Sequence, residues 1–142
     1  MKETEENSLW RAARANDIET KLRAEGRALA IQGELVGEGI QGNLYKMKGQ
    51  QFWVYDVYDI SNTRYLSAME RTQLITSMGL RHVPLIGTGE IEHDVMGLLD
   101  IAEGKSRLND STEREGLVFK CMEDPSKSFK AISNKFLLKS ST

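Results

Sequence analysis

The sequence predicts an α+β fold, in which strands and helices do not alternate regularly along the chain. Three observations support this class: capping residues mark helix starts, period-two apolar patterns mark strands, and the strand–helix–strand order of a doubly wound parallel sheet is not seen. The 142 residues, 39% of them hydrophobic and 28% charged, lie in the range of one soluble domain. We therefore expect a single domain over residues 1–142.

Helix starts are marked by side chains that can accept the unpaired amides of a first turn. These residues are Asn7 or Ser8, Asp17, and Ser67 with Glu70 three residues later. Asp94 marks a further helix start by its charge. The first helix should run through Arg14, and each later helix is followed by a glycine that favours the left-handed conformation of a helix end. These glycines are Gly26, Gly79 and Gly104.

Apolar runs and alternating patterns predict the strands. Ala28–Val36 is a strand-length apolar run, and Gln51–Ile60 is rich in the aromatic and β-branched residues that suit a sheet. Pro84 lacks an amide donor, so a short strand over Val83–Ile86 should lie at a sheet edge. Two further strands nearer the C-terminus should flank a turn at Asp124-Pro125-Ser126.

The composition excludes several classes of protein. With 19 basic and 21 acidic residues the net charge is −2, so any contact with nucleic acid must be local. No run of about 18 apolar residues occurs, and residues 1–6 lack the apolar stretch of a signal peptide, so we expect a cytoplasmic protein without a membrane partner. Cys121 should be a small buried strand residue, and His82 and His93 are spaced too widely for a zinc motif.

Four ordered segments carry the functional information. They are Gly33-Glu34-Leu35-Val36-Gly37, Phe52-Trp53-Val54-Tyr55-Asp56, Glu113-Arg114-Glu115-Gly116-Leu117-Val118-Phe119-Lys120 and Phe129-Lys130-Ala131-Ile132-Ser133-Asn134-Lys135-Phe136. In this order they resemble the later motifs of covalent nucleotidyltransferases, most closely those of ATP-dependent RNA ligases. The resemblance runs from about Asn7 to Lys139. It implies a partial nucleotidyltransferase (ATP-grasp-like ligase) domain with antiparallel sheets and flanking helices, of which this chain would be the later two-thirds.

Glu34 is a carboxylate within an apolar strand. Such a carboxylate is costly near a core unless it is paired or binds a cation, although strand alternation could also point it to solvent. The resemblance gives Glu34 a catalytic position, close to the ribose or the reacting lysine. The following loop, Gly37-Glu38-Gly39-Ile40-Gln41-Gly42-Asn43, lacks the Lys-Ser/Thr of a phosphate-binding P-loop but is similar to a signature of one RNA ligase subgroup.

The second segment contains the candidate adenine-binding ring. In the family that it resembles, an aromatic residue directly before an aspartate stacks on adenine, a contact worth roughly 1–3 kcal/mol per base. Both Tyr55 and Tyr58 precede an aspartate, and strand alternation would place them on opposite faces. The spacing from Phe52 favours Tyr55, with ordinary core packing of both rings as the alternative.

The last two segments contain the candidate metal and phosphate ligands. The resemblance implies that Glu115 serves a Mg²⁺ or Mn²⁺ ion, which prefers oxygen ligands. It implies that Lys130 is a catalytic residue against the α-phosphate of ATP or AMP, where a fixed cation stabilises developing charge. Many relatives have a second lysine where this chain has Ile132, so Lys120 or Lys135 is expected to assist, and Lys120 is the additional cofactor-binding candidate.

The Lys-x-Asp-Gly motif, which carries the nucleophilic lysine of the family, has no counterpart in the sequence. Lys2 is followed by Glu3-Thr4-Glu5 and does not match it. The resemblance therefore implies a fragment of an RNA-repair ligase that joins RNA 3′-OH and 5′-phosphate ends through adenylated intermediates, and that cannot adenylate itself without a separate or upstream segment. The alternatives are a non-catalytic nucleotide- or RNA-binding module, or half of a split ligase.

Overall fold

The computed structural model describes residues 7–140, which form two compact units with the boundary between Val83 and Pro84. Lys2 lies outside the described residues. Within residues 7–140, no helix is long and apolar enough to cross a membrane. The class is α+β, as predicted, with antiparallel strand pairs and flanking helices.

The first unit is a sheet with flanking helices. Its elements are α1 (Ser8–Ala15), α2 (Ile18–Glu25), β1 (Leu29–Gly37), β2 (Gln50–Asp59), β3 (Arg64–Tyr65), α3 (Ala68–Ser77) and β4 (Arg81–His82). Strand β2 pairs antiparallel with β1 and β3 and parallel with β4. The two long strands begin and end within one residue of their predicted limits.

The caps of the first two helices differ in kind. The Asn7 side chain accepts hydrogen bonds from the amides of Leu9 and Trp10, as predicted. Asp17 makes no side-chain cap, so that prediction is wrong. Its φ is 52°, a left-handed conformation, whereas a residue that caps a helix N-terminus with its side chain normally has an extended backbone. Gly26 ends α2 with φ of 71°, as predicted.

The hairpin of β1 and β2 is interrupted by a β-bulge at Tyr55. The pairs that flank it are Gln32 with Asp56 and Gly33 with Val54. Tyr55 is therefore the extra residue of β2 at this shift of register. The extra residue shifts the alternation of β2, which explains why Val54 and Val57 are both fully buried although they are three positions apart.

The core of the first unit packs α3 against the β1–β2 hairpin. Its buried apolar residues are Leu29, Val54, Val57, Leu66, Leu74, Ile75, Met78 and Leu80. The Ser67 hydroxyl caps α3 by accepting from the amide of Glu70 at 3.2 Å, and Gly79 follows the helix with φ of 67°. Both features agree with the predicted start and end of this helix.

The predicted strand over Val83–Ile86 is wrong. Strand β4 comprises only Arg81–His82, and the amide of Val83 adds one further hydrogen bond, 2.8 Å long, to the carbonyl oxygen of Val54. Pro84 has no N–H to donate, so the ladder stops there. The missing donor of Pro84 therefore ends the strand and does not place the segment Val83–Ile86 at a sheet edge.

The second unit contains a β-hairpin and two helices within its described residues. Its elements are α4 (Val95–Ala102), β5 (Gly116–Lys120), β6 (Ser128–Ile132) and α5 (Asn134–Ser140), with β5 and β6 antiparallel. Asp94 lies at the start of α4, as predicted, and its carboxylate also caps the helix by accepting from the amide of Gly97 at 2.9 Å. Helix α5 was not predicted; it begins where the Ser133 hydroxyl accepts from the amide of Phe136 at 3.2 Å.

The turn between β5 and β6 lies where the sequence predicted it. The amide of Cys121 donates to the carbonyl oxygen of Lys127 at 2.9 Å, and the Asp124 carboxylate accepts from the amide of Ser126 at 3.2 Å. Cys121 is exposed, contrary to the prediction of a buried strand residue. The reason is that β5 ends at Lys120 and Cys121 already belongs to the turn.

Candidate active site

Glu34 lies on β1 and its side chain is exposed. It pairs with Trp53 on β2. The carboxylate thus reaches solvent and carries no burial cost, which agrees with the alternative that this side chain points to solvent. The preceding Gly33 is required sterically, because a Cβ there would lie 2.5 Å from Cζ of Phe52 and from the carbonyl oxygen of Trp53. Because Gly33 has no side chain, the Phe52 ring and the backbone of β2 can lie close to β1 next to Glu34.

The two candidate adenine rings have different surroundings. Tyr55 lies at the bulge with 40% of its surface exposed. The Tyr58 ring packs edge-to-face on Tyr65, with 5.0 Å between ring centroids and an interplanar angle of 71°. The prediction that strict alternation separates the two tyrosines does not hold, because the bulge interrupts the alternation between them. The structure therefore gives Tyr58 a packing role and leaves Tyr55 accessible to a ligand.

The glycine-rich loop after β1 is a closed, structured turn. A Cβ on Gly37, whose φ is 121°, would lie 2.1 Å from the carbonyl oxygen of Gly49. The Asn43 side chain bonds both the amide and the carbonyl oxygen of Met47, at 3.0 and 2.9 Å. Asn43 itself has φ of 53°, a left-handed conformation that asparagine tolerates. These residues give the loop a fixed shape where it leaves the strand that carries Glu34.

Glu115 and Lys130 meet at one end of the β5–β6 hairpin. Lys130 Nζ lies 2.6 Å from Glu115 Oε1, and the side chains are 42% and 37% exposed. The amide of Ser133 donates to the carbonyl oxygen of Glu115 at 2.7 Å, which extends the pairing of the strands to this residue. The candidate metal ligand and the candidate phosphate ligand are therefore in direct contact.

Gly116 is required by the close approach of β6. It pairs with Ile132, and a Cβ at this position would lie 2.1 Å from the carbonyl oxygen of Ala131. Any side chain there would force the strands apart. The glycine of the Glu-Gly motif therefore keeps Glu115 within reach of Lys130.

Lys120 is placed on the same face of this hairpin as Lys130. Lys120 pairs with Ser128 and Val118 with Lys130, and alternate residues of a strand share a face. Ile132, the departure from the family pattern, lies on this face too and is 36% exposed. The second lysine of the family pattern is thus replaced by an accessible apolar side chain.

Lys135, the other lysine expected to assist, binds elsewhere. Its Nζ lies 3.0 Å from Glu103 Oε2, and the hydrogen bond from this carboxylate raises the pKa of the Lys135 ammonium. A similar ion pair joins Lys105 to Glu113 at 2.7 Å, and the Lys105 hydrogen bond lowers the pKa of the Glu113 carboxyl. The first contact connects α5 to the end of α4, and the second joins the two ends of the segment between α4 and β5.

Arg114 has a structural role that sequence reasoning missed. Its Nε donates to the carbonyl oxygen of Ala102 at 2.8 Å, and its Nη2 donates to that of Glu103 at 2.7 Å and to that of Ile101. A guanidinium at this place satisfies the unpaired carbonyls of the α4 C-terminus. It also fixes the backbone next to Glu115. No local signal in the sequence connects this arginine to a helix twelve residues earlier.

Arg71 is a second group that sequence reasoning missed. This residue of α3 is only 4% exposed, and its Nε donates to His82 Nε2 at 2.8 Å. Its Nη1 lies 3.7 Å from Asp56 Oδ1. Burial lowers the pKa of the Arg71 guanidinium, and the Asp56 carboxylate opposes that effect. The detectable signal was that Arg71 stands at the helical spacing of the apolar residues of α3.

The donor set fits a metal that takes most of its ligands from a nucleotide. Within residues 7–140, no three His, Cys, Asp or Glu side chains are grouped as a metal cage. Mg²⁺ in phosphate-transfer sites is usually held by one or two carboxylates together with phosphate oxygens and waters. A lone, partly exposed carboxylate such as Glu115 beside an ammonium group is compatible with that arrangement.

The chain is similar to known proteins along most of its length. The family model described as RNA ligase matches residues 1–132. Solved structures of a Naegleria gruberi RNA ligase, one with PPi and a mutant with ATP and Mn, superpose on 99% of the chain with a TM-score of 0.94 and 43% identity. Another mutant of that ligase, with AMP and Mn, superposes on 98% with a TM-score of 0.92 and 44% identity.

These matches cover nearly all of this chain but less than half of each Naegleria chain. The chain spans only 43% and 42% of the length of the first two Naegleria chains. A search of curated proteins finds no match. The predicted nucleotidyltransferase fold is nevertheless confirmed, and the family match covers most of the sequence. The chain belongs to the RNA ligase family.

Proposed function

We propose that this chain is part of the adenylyltransferase domain of an ATP-dependent RNA ligase. Such an enzyme joins RNA 3′-OH and 5′-phosphate ends through adenylated intermediates. The observation that carries the proposal is the contact of Lys130 with Glu115, which sets an ammonium for phosphate and a carboxylate for a divalent cation 2.6 Å apart. The Naegleria ligase structures with ATP, AMP and Mn support the choice of ATP and AMP with Mn²⁺ or Mg²⁺ as ligands.

Each unit contributes its own residues to the proposed chemistry. In the first unit, Tyr55 stacks on adenine and Glu34 contacts the ribose or the reacting lysine. In the second unit, Lys130, assisted by Lys120, binds the α-phosphate and stabilises the charge that develops as pyrophosphate leaves. Glu115 holds the divalent cation, whose contribution is to neutralise phosphate charge.

The nucleophile is the part of the reaction for which the sequence has no candidate. The 142 residues contain no Lys-x-Asp-Gly sequence. An amine nucleophile must be both deprotonated and held at the phosphorus atom, so a lysine from another position does not substitute for it. We therefore propose that the chain alone does not adenylate itself and works with a segment, in the same or a separate polypeptide, that carries this lysine.

An adenylation assay tests the proposal. The chain incubated with α-³²P-labelled ATP and Mn²⁺ should acquire no covalent label. The chain joined to an RNA ligase segment that carries Lys-x-Asp-Gly should become labelled, and changing the lysine of that segment to alanine should remove the label. Covalent labelling of the chain alone would refute the missing-nucleophile claim.

The same assay separates the alternatives. If labelling occurs when the lysine segment is added as a separate polypeptide, the chain works as half of a split ligase. If AMP or RNA binds but neither arrangement becomes labelled, the non-catalytic module is the correct reading and the ligase proposal fails.

A further inference from the structure

Arg71 contacts both sides of the bulge at Tyr55. On one side, its Nη1 lies 3.7 Å from the carboxylate of Asp56, the residue that follows the tyrosine. On the other side, its Nε donates to His82, which pairs with Val54, the residue that precedes the tyrosine. One buried side chain of α3 therefore connects the two neighbours of the bulged residue.

The contacts around His82 fix its ring as part of this arrangement. His82 Nδ1 lies 2.6 Å from the carbonyl oxygen of Val83, so a proton on Nδ1 leaves Nε2 free to accept from Arg71. The amide of Val83 donates to Val54 at 2.8 Å. The backbone before the bulge is thus held by β4, and β4 is held by Arg71.

A contribution to folding stability does not by itself explain the buried pair of Arg71 and Asp56. The Arg71 and Asp56 side chains are 5% and 15% exposed, so both charges have lost most of their water. Replacing a buried ion pair with apolar residues of similar volume is often neutral or stabilising, because desolvation offsets the attraction of the charges. What an apolar contact would not supply is the directional hydrogen bond of Arg71 to His82, together with the attraction of the guanidinium for the Asp56 carboxylate.

We propose that Arg71 is a positioning residue, which holds Asp56 and His82 so that the bulge presents Tyr55 to an adenine ring. This inference rests on the proposed function, because it assumes that Tyr55 binds adenine. Arg71 is buried and does not itself touch the nucleotide. A bulge that is free to relax would spread the tyrosine over several orientations, and the cost of ordering it would weaken binding.

The test uses two charge-neutral double variants of the full chain. Arg71→Met with Asp56→Asn removes the buried pair without leaving an isolated charge. Arg64→Met with Glu70→Gln removes a surface ion pair, 3.0 Å long, that also involves α3 but lies away from the bulge. Circular dichroism and thermal unfolding establish that both variants are folded.

Hydrogen exchange measures positioning without any ligand. In the Arg71→Met/Asp56→Asn variant, amides at Tyr55 and Asp56 should exchange faster, while those of α3 remain as protected as in the parent. The Arg64→Met/Glu70→Gln control should leave the bulge unchanged. Unchanged protection at the bulge in the first variant, or equal loss in the control, would overturn the inference whatever the nucleotide data show.

AMP binding by calorimetry tests the consequence. Arg71→Met/Asp56→Asn should weaken AMP binding about 5- to 10-fold, and adding Tyr55→Ala to it should cost less than Tyr55→Ala costs in the parent, since contacts in one network are not additive. If Tyr55→Ala has no effect in the parent, the proposed adenine site fails and the inference fails with it. If Tyr55→Ala weakens binding but the Arg71 variant does not, only the inference is refuted.

Discussion

Lys130 donates a hydrogen bond to Glu115 at the end of the β5–β6 hairpin, with Nζ 2.6 Å from Oε1. The two charges neutralise each other in the free chain. A divalent cation on Glu115 would compete with the ammonium for the carboxylate, and a phosphate on Lys130 would compete with the carboxylate for the ammonium. Each ligand therefore removes the competitor of the other, which favours joint binding of cation and nucleotide.

Replacing Lys130 with alanine should slow adenylation strongly in the chain joined to a Lys-x-Asp-Gly segment. Losing one group that stabilises transition-state charge typically costs a factor of about 10² to 10³. Single-turnover labelling with ATP and Mn²⁺ measures this rate. Lys127→Ala is the matched control, because Lys127 is also exposed on this hairpin and lies 4.0 Å from Asp124. A rate within a factor of about two of the parent for Lys130→Ala would remove its assigned role.

Glu115→Ala should instead change the metal dependence of the same reaction. Without the carboxylate, half-maximal labelling should need more Mn²⁺, since the cation loses its protein ligand and keeps only phosphate and water. A titration of the rate against Mn²⁺ measures the shift. An unchanged Mn²⁺ requirement would show that Glu115 does not hold the metal.

The two tyrosines of β2 should separate binding from stability. Tyr55→Ala should weaken AMP binding by about 1–3 kcal/mol with little change in thermal unfolding, because the lost contact is a stacking surface. Tyr58→Ala should lower the unfolding temperature, since it removes the edge-to-face contact with Tyr65. Calorimetry and thermal melts distinguish them, and Tyr55→Phe, which keeps the ring face, should bind like the parent. If Tyr58→Ala weakened AMP binding and Tyr55→Ala lowered only the unfolding temperature, Tyr58 would be the adenine-binding residue.

Gly116→Ala should disrupt the second hairpin. The new Cβ would lie 2.1 Å from the carbonyl oxygen of Ala131, and the strain of accommodating it should cost about 1–3 kcal/mol. Gly87→Ala in the same unit is the control, because nothing lies within 4 Å of its Cβ position. Urea unfolding of both variants measures the difference. Equal stability of the two would mean that the strands can move apart freely.

Acid should weaken the turn after β2. Hydrogen bonds from the Asn62 side chain and amide hold the pKa of Asp59 below its ordinary value of 3.8. A lowered folded pKa gives stability that is present above 3.8 and is lost as the pH falls through the folded value. Asn62→Ala should therefore melt below the parent at neutral pH, with a difference that shrinks in acid. Ser61→Ala, at the neighbouring exposed position, should show no such trend; a constant difference for Asn62→Ala would exclude the ionic cause.

Capping side chains were predictable where the cap closes within its own helix. Asn7, Ser67 and Asp94 accept amides two or three residues ahead, so the neighbouring sequence contains the whole interaction. Asp17 failed because a turn from the preceding helix determined its backbone. Helix α5 was missed because its cap, Ser133, lies in a segment that had been interpreted as strand.

Longer-range contacts were not predictable from the sequence. Glu115 and Lys130 could each be proposed from the resemblance, but their contact depends on the pairing of β5 with β6. The bulge at Tyr55 depends on cross-strand register, which no single residue reveals. Arg71 resembles an ordinary helix arginine until the positions of Asp56 and His82 are known. The sequence therefore indicated the residue types of the candidate site but not the contacts that hold them.

The bulge also makes the length of β2 matter independently of its composition. Deleting Tyr55 would leave Asp56 opposite Gln32 and Val54 opposite Gly33 in an uninterrupted ladder, with both buried valines still facing the core. Loss of one codon could thus produce a more regular sheet on an intact scaffold that lacks the exposed ring. If Tyr55 binds adenine as proposed, a one-residue gap at this point in related chains would indicate loss of that binding more directly than any change in the apolar pattern.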